Sequence, residues 1–346
     1  MGLIGGAIPA HTQGIIRGER MSRESDPIVR DQPAEMPSEG GPLAEYRGAL
    51  PPAPDWFPEA VATPYEVNRV NVLGVEVSYQ RWGKRGAPGL LFVHGNGAHA
   101  HWWDFIAPYF AEHYNVAALT FSGMGESQWR DHYDMATFSA EQVAVAEDAG
   151  LFDGPRKPVI VAHSFGGFVT LVTGAEHGER FEGMVIVDSP VNPPERPNQG
   201  PSRAGRPHKV YADLAAALSR FRLAPPQLCE NHYAMDYIAR WSLKRAEGGW
   251  TWKFDPTIWT RFEPGRDGGE LLKAAKCRVA IIRGEESALM PDEVRDYMRG
   301  LLGHQVPFVS IPHARHHVML DQPIAFISAL RMLLAEWDHS DPHRRV

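Results

Sequence analysis

Short, mostly apolar runs recur along the chain at 89–93, 116–121, 159–162, 181–187, 279–284 and 306–311. Runs of this kind fit strands buried on both faces of a parallel sheet. Between them lie helical patterns at 102–113, 140–149, 165–177, 291–302 and 323–337. Strands alternating with helices at this spacing predict an α/β fold, a mostly parallel central sheet flanked by helices with right-handed crossovers. Ahead of them, 67–73 and 75–82 alternate in polarity around Gly74, which predicts a hairpin.

The alternation fails in two places. Residues 1–50 are rich in Gly, Pro, Ser, Glu and Arg without periodicity, so they are expected to form a mobile N-terminal extension. Met21 opens an ordinary polar start, and residues 1–20 read as an upstream addition whose loss should not alter stability. Residues 191–276 interrupt the sheet with a proline-rich link and helical stretches at 211–221 and 232–246. A structureless loop of that length does not belong in a compact domain, so this segment is expected to be a helical cap. The core is then 51–190 with 277–338, and 339–346 is a polar tail.

Composition narrows the partners. A net charge of −7 is spread along 346 residues without a basic block, which disfavours nucleic acid and anionic membrane surfaces. No apolar run approaches the length of a membrane span. The two cysteines, Cys229 and Cys277, lie far apart without a C-x-x-C spacing, so a reducing, cytoplasmic location is expected. A small, apolar substrate is the natural ligand. The sequence is silent on oligomeric state.

The chemistry centres on Ala162-His163-Ser164-Phe165-Gly166-Gly167, between an apolar strand and a helical pattern. Small residues two before and two after a serine allow the tight strand-to-helix turn that exposes a nucleophilic hydroxyl. The helix N-terminus then aims free N–H groups at a developing oxyanion. Upstream, His94-Gly95-Asn96-Gly97 ends another apolar strand, and Pro312-His313-Ala314-Arg315-His316-His317 follows the last one.

With these motifs, the stretch from about 70 to 337 resembles the α/β-hydrolase family. The resemblance implies a serine hydrolase without a cofactor, acting on an ester or related carbonyl compound. Ser164 would be the nucleophile and His316, five residues before Asp321, the base, with His317 the alternative. The backbone N–H groups of Asn96 and Phe165 would form the oxyanion hole. The usual acid positions after Gly284 hold no aspartate, which leaves Asp188, at the end of the strand after the elbow helix, with Glu286 as its rival. Thr120 stands where the family commonly has an aspartate that stabilises a turn. Trp250 and Trp252, in an aromatic-rich cap, are candidates for the pocket wall. His99, His101, His313, His316 and His317 lack accompanying cysteines or close carboxylates, so no metal site is expected, and Gly123-Met124-Gly125 lacks dinucleotide spacing. Alternatives on the same scaffold are a C–C bond hydrolase and a ligand-binding or signalling protein with slow or no turnover.

Overall fold

The structure, a computed structural model, describes residues 40–196, 205, 207–303 and 305–340. The expectations for residues 1–39, the upstream addition included, and for 341–346 lie outside them. An eight-stranded sheet forms the centre: β1 (Glu66–Val72), β2 (Val75–Trp82), β3 (Gly89–Val93), β4 (Asn115–Leu119), β5 (Val159–His163), β6 (Gly183–Val187), β7 (Arg278–Gly284) and β8 (Phe308–Ile311). Their order is β1-β2-β4-β3-β5-β6-β7-β8. β2 runs antiparallel to β1 and β4, and every other pairing is parallel.

Alternation along the central strands divides the core in two. Leu90, Phe92, Val161, Val185, Val187 and Ile282 face one layer with Trp103, Phe326 and Trp337. Leu91, Val93, Ile160, Ala162 and Ile186 face the other with Phe138, Val169 and Val294. Each fully buried aliphatic side chain contributes roughly 1.5–3 kcal/mol, so these strands are uniformly apolar because neither face meets water. The flanking helices are α1 (Met135–Asp148), α2 (Phe165–His177), α3 (Asp292–Leu302) and α4 (Pro323–His339). Asp134 starts α1 by accepting the Thr137 N–H at 2.6 Å.

Three local expectations are corrected. Residues 102–113 form two short 3-10 turns, Ala100–Trp103 and Ala107–Tyr109, because Pro108 cannot supply the N–H a continuous helix needs. The segment 40–50, expected to be mobile, packs on the domain: Leu43 is buried, the Gly41 N–H donates to the Ser219 carbonyl at 2.6 Å, and Tyr46 hydrogen-bonds His232 at 2.9 Å. Its apolar groups are too sparse to show periodicity, yet Leu43 together with these hydrogen bonds anchors it.

The third correction concerns 191–276, where helices are short and share the segment with strands. Leu214–Leu218 and His232–Trp241 are helical, but Leu243–Ala246 and Gly249–Trp252 pair as a hairpin, with Gly248 at φ 81° in the turn. Glycine supplies that left-handed turn without a Cβ clash. Phe57 packs edge-on against Tyr233 and Tyr237, tying the start of the domain to helix His232–Trp241. Among the described residues no helix is long and apolar enough to cross a membrane.

Candidate active site

Ser164 occupies the turn between β5 and α2 at φ 52° and ψ −120°, a conformation that costs a non-glycine residue about 1–3 kcal/mol. The surroundings enforce it. A Cβ on Gly166 would fall 2.4 Å from the His94 carbonyl oxygen, and one on Gly167 would fall 2.0 Å from Ser189 Oγ. The Ser164 N–H donates to the Val187 carbonyl at 3.0 Å, holding the turn to the end of β6.

His316 follows β8 and brings Nε2 to 2.9 Å from Ser164 Oγ. Its Nδ1 lies 2.8 Å from Asp188 Oδ1. Asp188 is fully buried at φ 47°, directly after β6, and is further held by the Gly284 N–H at 2.8 Å and the Ser287 hydroxyl at 2.6 Å. These donors stabilise a carboxylate, which can then accept the Nδ1 proton and leave Nε2 free to take the serine proton. Glu286 points elsewhere: 41% exposed, it pairs with Arg315 at 3.1 Å and lies 3.4 Å from His313.

Three other buried histidines surround this chain. Phe121 N–H donates to His94 Nε2 at 3.0 Å while His94 Nδ1 donates to the Gly95 carbonyl at 2.7 Å, and burial lowers its pKa to about 4. His94 is thereby a neutral brace for the loop carrying Asn96. His163 Nε2 donates to the His316 carbonyl at 3.0 Å, and burial, then the neighbouring His316, push its pKa well down. His317 is lowered likewise by burial, with neither ring nitrogen completing a hydrogen bond; the nearby Pro225 carbonyl only weakly favours its protonation. Ligand nitrogens of His163, His316 and His317 lie within 4.8 Å of one another, a grouping that could receive a metal ion. No local spacing announces it, because His163 and His316 are 153 residues apart in the chain. Both His316 nitrogens are already engaged in the serine–aspartate chain.

The loop bearing His316 is positioned by Asp321, which accepts the Arg315 N–H at 2.7 Å and the Gln227 amide at 2.9 Å. Burial raises the Asp321 pKa to about 6. Among the described residues no hydrogen-bond acceptor is found for the backbone N–H of Asn96 or Phe165. Thr120 does a turn-stabilising job with its hydroxyl, accepting the Ala100 N–H at 3.0 Å. The neighbouring turn rests on a pair the sequence did not reveal: Glu141, fully buried, accepts from Ser122 and is 2.9 Å from Arg130.

A cavity of about 280 Å³ opens beside this centre, between the Asn96 loop, the Gly123 turn and the segment 220–259. Trp102, Trp252, Phe254 and Trp259 give it aromatic walls, and Asn96 and His317 border it on the serine side. Trp252 is thus among the cavity's lining residues. Trp250 is not: two residues closer to the hairpin turn, it packs under the Arg245 guanidinium at 4.3 Å and pairs its backbone with Tyr211.

Comparison with known proteins agrees with the fold. The alpha/beta hydrolase family matches residues 90–330. The chain belongs to that family and is an α/β-fold hydrolase. Esterase Rv0045c of Mycobacterium tuberculosis is 24% identical over 282 residues, covering 78% of this chain and 89% of that protein. The bifunctional esterase/perhydrolase DCH of Acinetobacter calcoaceticus is 27% identical over 256 residues, 70% of this chain and 90% of the relative. Among solved structures, a thioesterase domain from the curacin biosynthetic pathway superposes with a TM-score of 0.65 at 22% identity, covering 78% of this chain and all of that one.

Proposed function

We propose that the protein is a serine esterase in which Ser164 is the nucleophile, His316 the base and Asp188 the acid. The observation that carries this reading is the unbroken hydrogen-bond chain from Asp188 through His316 to Ser164 Oγ, ending on a strained turn. Asp188 holds the His316 tautomer whose Nε2 accepts the serine proton, and stabilises the imidazolium once formed. Ser164 Oγ attacks the substrate carbonyl, and the Asn96 and Phe165 N–H groups stabilise the oxyanion. His316 then protonates the leaving alcohol, and a water activated by the same imidazole releases the acyl group. The esterase names of the relatives Rv0045c and DCH support an ester as substrate.

In this reading 191–276 acts as a cap, its Trp252, Phe254 and Trp259 shaping the acyl pocket. The test is turnover of p-nitrophenyl esters from acetate to octanoate. Wild type hydrolyses them with a chain-length optimum, and Ser164→Ala loses at least about a thousandfold in kcat while keeping its melting temperature. Near-wild-type turnover by Ser164→Ala would place the chemistry elsewhere.

A further inference from the structure

Arg220 and Arg222 both line the cavity, and among the described residues none that line it is Asp or Glu. Among the described residues no hydrogen bond or ion pair engages the Arg220 guanidinium, while Arg222 Nη1 is held by the Ser219 and Phe221 carbonyls at 3.0 and 2.8 Å. Arg220 is exposed and Arg222 partly buried, and burial and then the Arg220 charge lower the Arg222 pKa.

The same wall contains the Trp102 indole N–H, buried without a partner, and the His317 ring, which has only the nearby Pro225 carbonyl beside it. An unpaired buried polar group typically costs about 1–3 kcal/mol, and a site that leaves such groups waiting is complementary to a ligand that supplies their partners. Trp and Arg only donate, and a neutral imidazole retains one N–H. A ligand that brings acceptor oxygen would meet these donors.

We infer that the ester substrate carries an anionic oxygen group, a carboxylate or a phosphate, which Arg220 and Arg222 receive while its apolar body lies against Trp102, Trp252 and Trp259 and its carbonyl meets Ser164. This rests on the serine-esterase reading and sharpens it from an apolar substrate to an amphipathic one. Guanidinium forks pair bidentately with either anion, so the arginines set affinity and orientation and leave the acyl transfer to the Ser164 chain.

The test compares esters of matched length: p-nitrophenyl hexanoate, which is neutral, mono-p-nitrophenyl adipate, and p-nitrophenyl 5-phosphonopentanoate. At low ionic strength wild type should favour one anionic ester over hexanoate by about tenfold or more in kcat/KM, mostly through KM, with the margin shrinking as salt screens it. Whichever anionic ester leads identifies carboxylate or phosphate. Arg220→Gln should bring the anionic-to-neutral ratio close to one; Arg222→Gln should do the same but also loosen the 219–222 turn, so Arg220→Gln with a melting curve is the cleaner variant. Equal or better use of hexanoate by wild type, or an unchanged ratio in folded Arg220→Gln, overturns the inference. Failure to turn over any ester together with no fluorophosphonate labelling of Ser164 would instead remove the serine-esterase reading beneath it.

Discussion

Asp188 and His316 meet at 2.8 Å across the ends of β6 and β8, while Glu286, two residues beyond β7, turns outward to Arg315. Asn at position 188 cannot stabilise the imidazolium, so Asp188→Asn should lower kcat by about 10⁴-fold with a small effect on KM. Glu286→Gln breaks a half-exposed pair worth at most about 1 kcal/mol and should leave kcat within a few-fold of wild type. Steady-state kinetics on one ester, with melting curves for both variants, decides between the two carboxylates. The reverse ranking would move the acid role to Glu286.

The sequence pointed to Asp188 by its place at the end of the strand after the elbow helix, with Glu286 as rival, but not to the packing that distinguishes their surroundings. Both follow neighbouring strands, and the register pairs Val187 with Ile282; what separates them is the left-handed backbone at Asp188, which only the packed sheet enforces. The sheet itself was readable, because strands buried on both faces must be continuously apolar. The Ser164 turn was readable too, since its small neighbours are demanded by contacts such as Gly167 against Ser189. The hairpin Leu243–Trp252 had a signal in Gly248-Gly249 that the helical reading through Ala246 overran. Arg130 and Glu141 meet only because α1 folds back over the Ser122 turn, so no local spacing announces the pair.

The two hairpin tryptophans should separate in function. Trp252→Ala enlarges the cavity and should shift the preferred acyl length by two or more carbons and alter KM. Trp250→Ala should leave chain-length preference unchanged, because that ring packs against Arg245 outside the cavity. A p-nitrophenyl ester series on both variants reads the difference; equal shifts in the two would remove Trp252 from the pocket wall.

The Arg130–Glu141 pair predicts a stability effect away from the chemistry. Arg130→Met leaves Glu141 fully buried without its cation and strips donors from the Val72 and Leu73 carbonyls. Breaking a buried pair on one side typically costs about 3–5 kcal/mol. Urea unfolding should show a loss of that order, and a change under about 1 kcal/mol would mean that water enters the site and solvates the carboxylate.

Acid sensitivity follows from the buried imidazoles. His94, lowered to about 4, with His163 and His317 lowered in the same direction, stays neutral in the native state where an unfolded histidine protonates near 6.5. Above pH 6.5 both states are neutral and nothing is lost. Between about 6.5 and 4 the unfolded chain binds the extra protons, so the histidines' share of stability falls as pH falls. Asp321, raised to about 6, works in the opposite sense, since its native carboxyl takes up a proton more readily than the unfolded one. NMR of labelled imidazoles should show the His94 ring neutral at pH 5; a His94 midpoint near 6.5 would contradict its assignment as a buried neutral brace.

The most direct measurement is covalent. A fluorophosphonate phosphonylates a serine whose proton a neighbouring base takes as it attacks and whose oxyanion hole receives the phosphonyl oxygen, so it reports the chain from Asp188 to Ser164 without requiring the natural substrate. Intact-mass and peptide-level analysis of the native protein at neutral pH should show a single phosphonyl adduct on Ser164. The adduct should be absent from Ser164→Ala and from heat-denatured wild type, and should form much more slowly in Asp188→Asn. An unlabelled native protein, or an adduct on any other residue, would contradict the account.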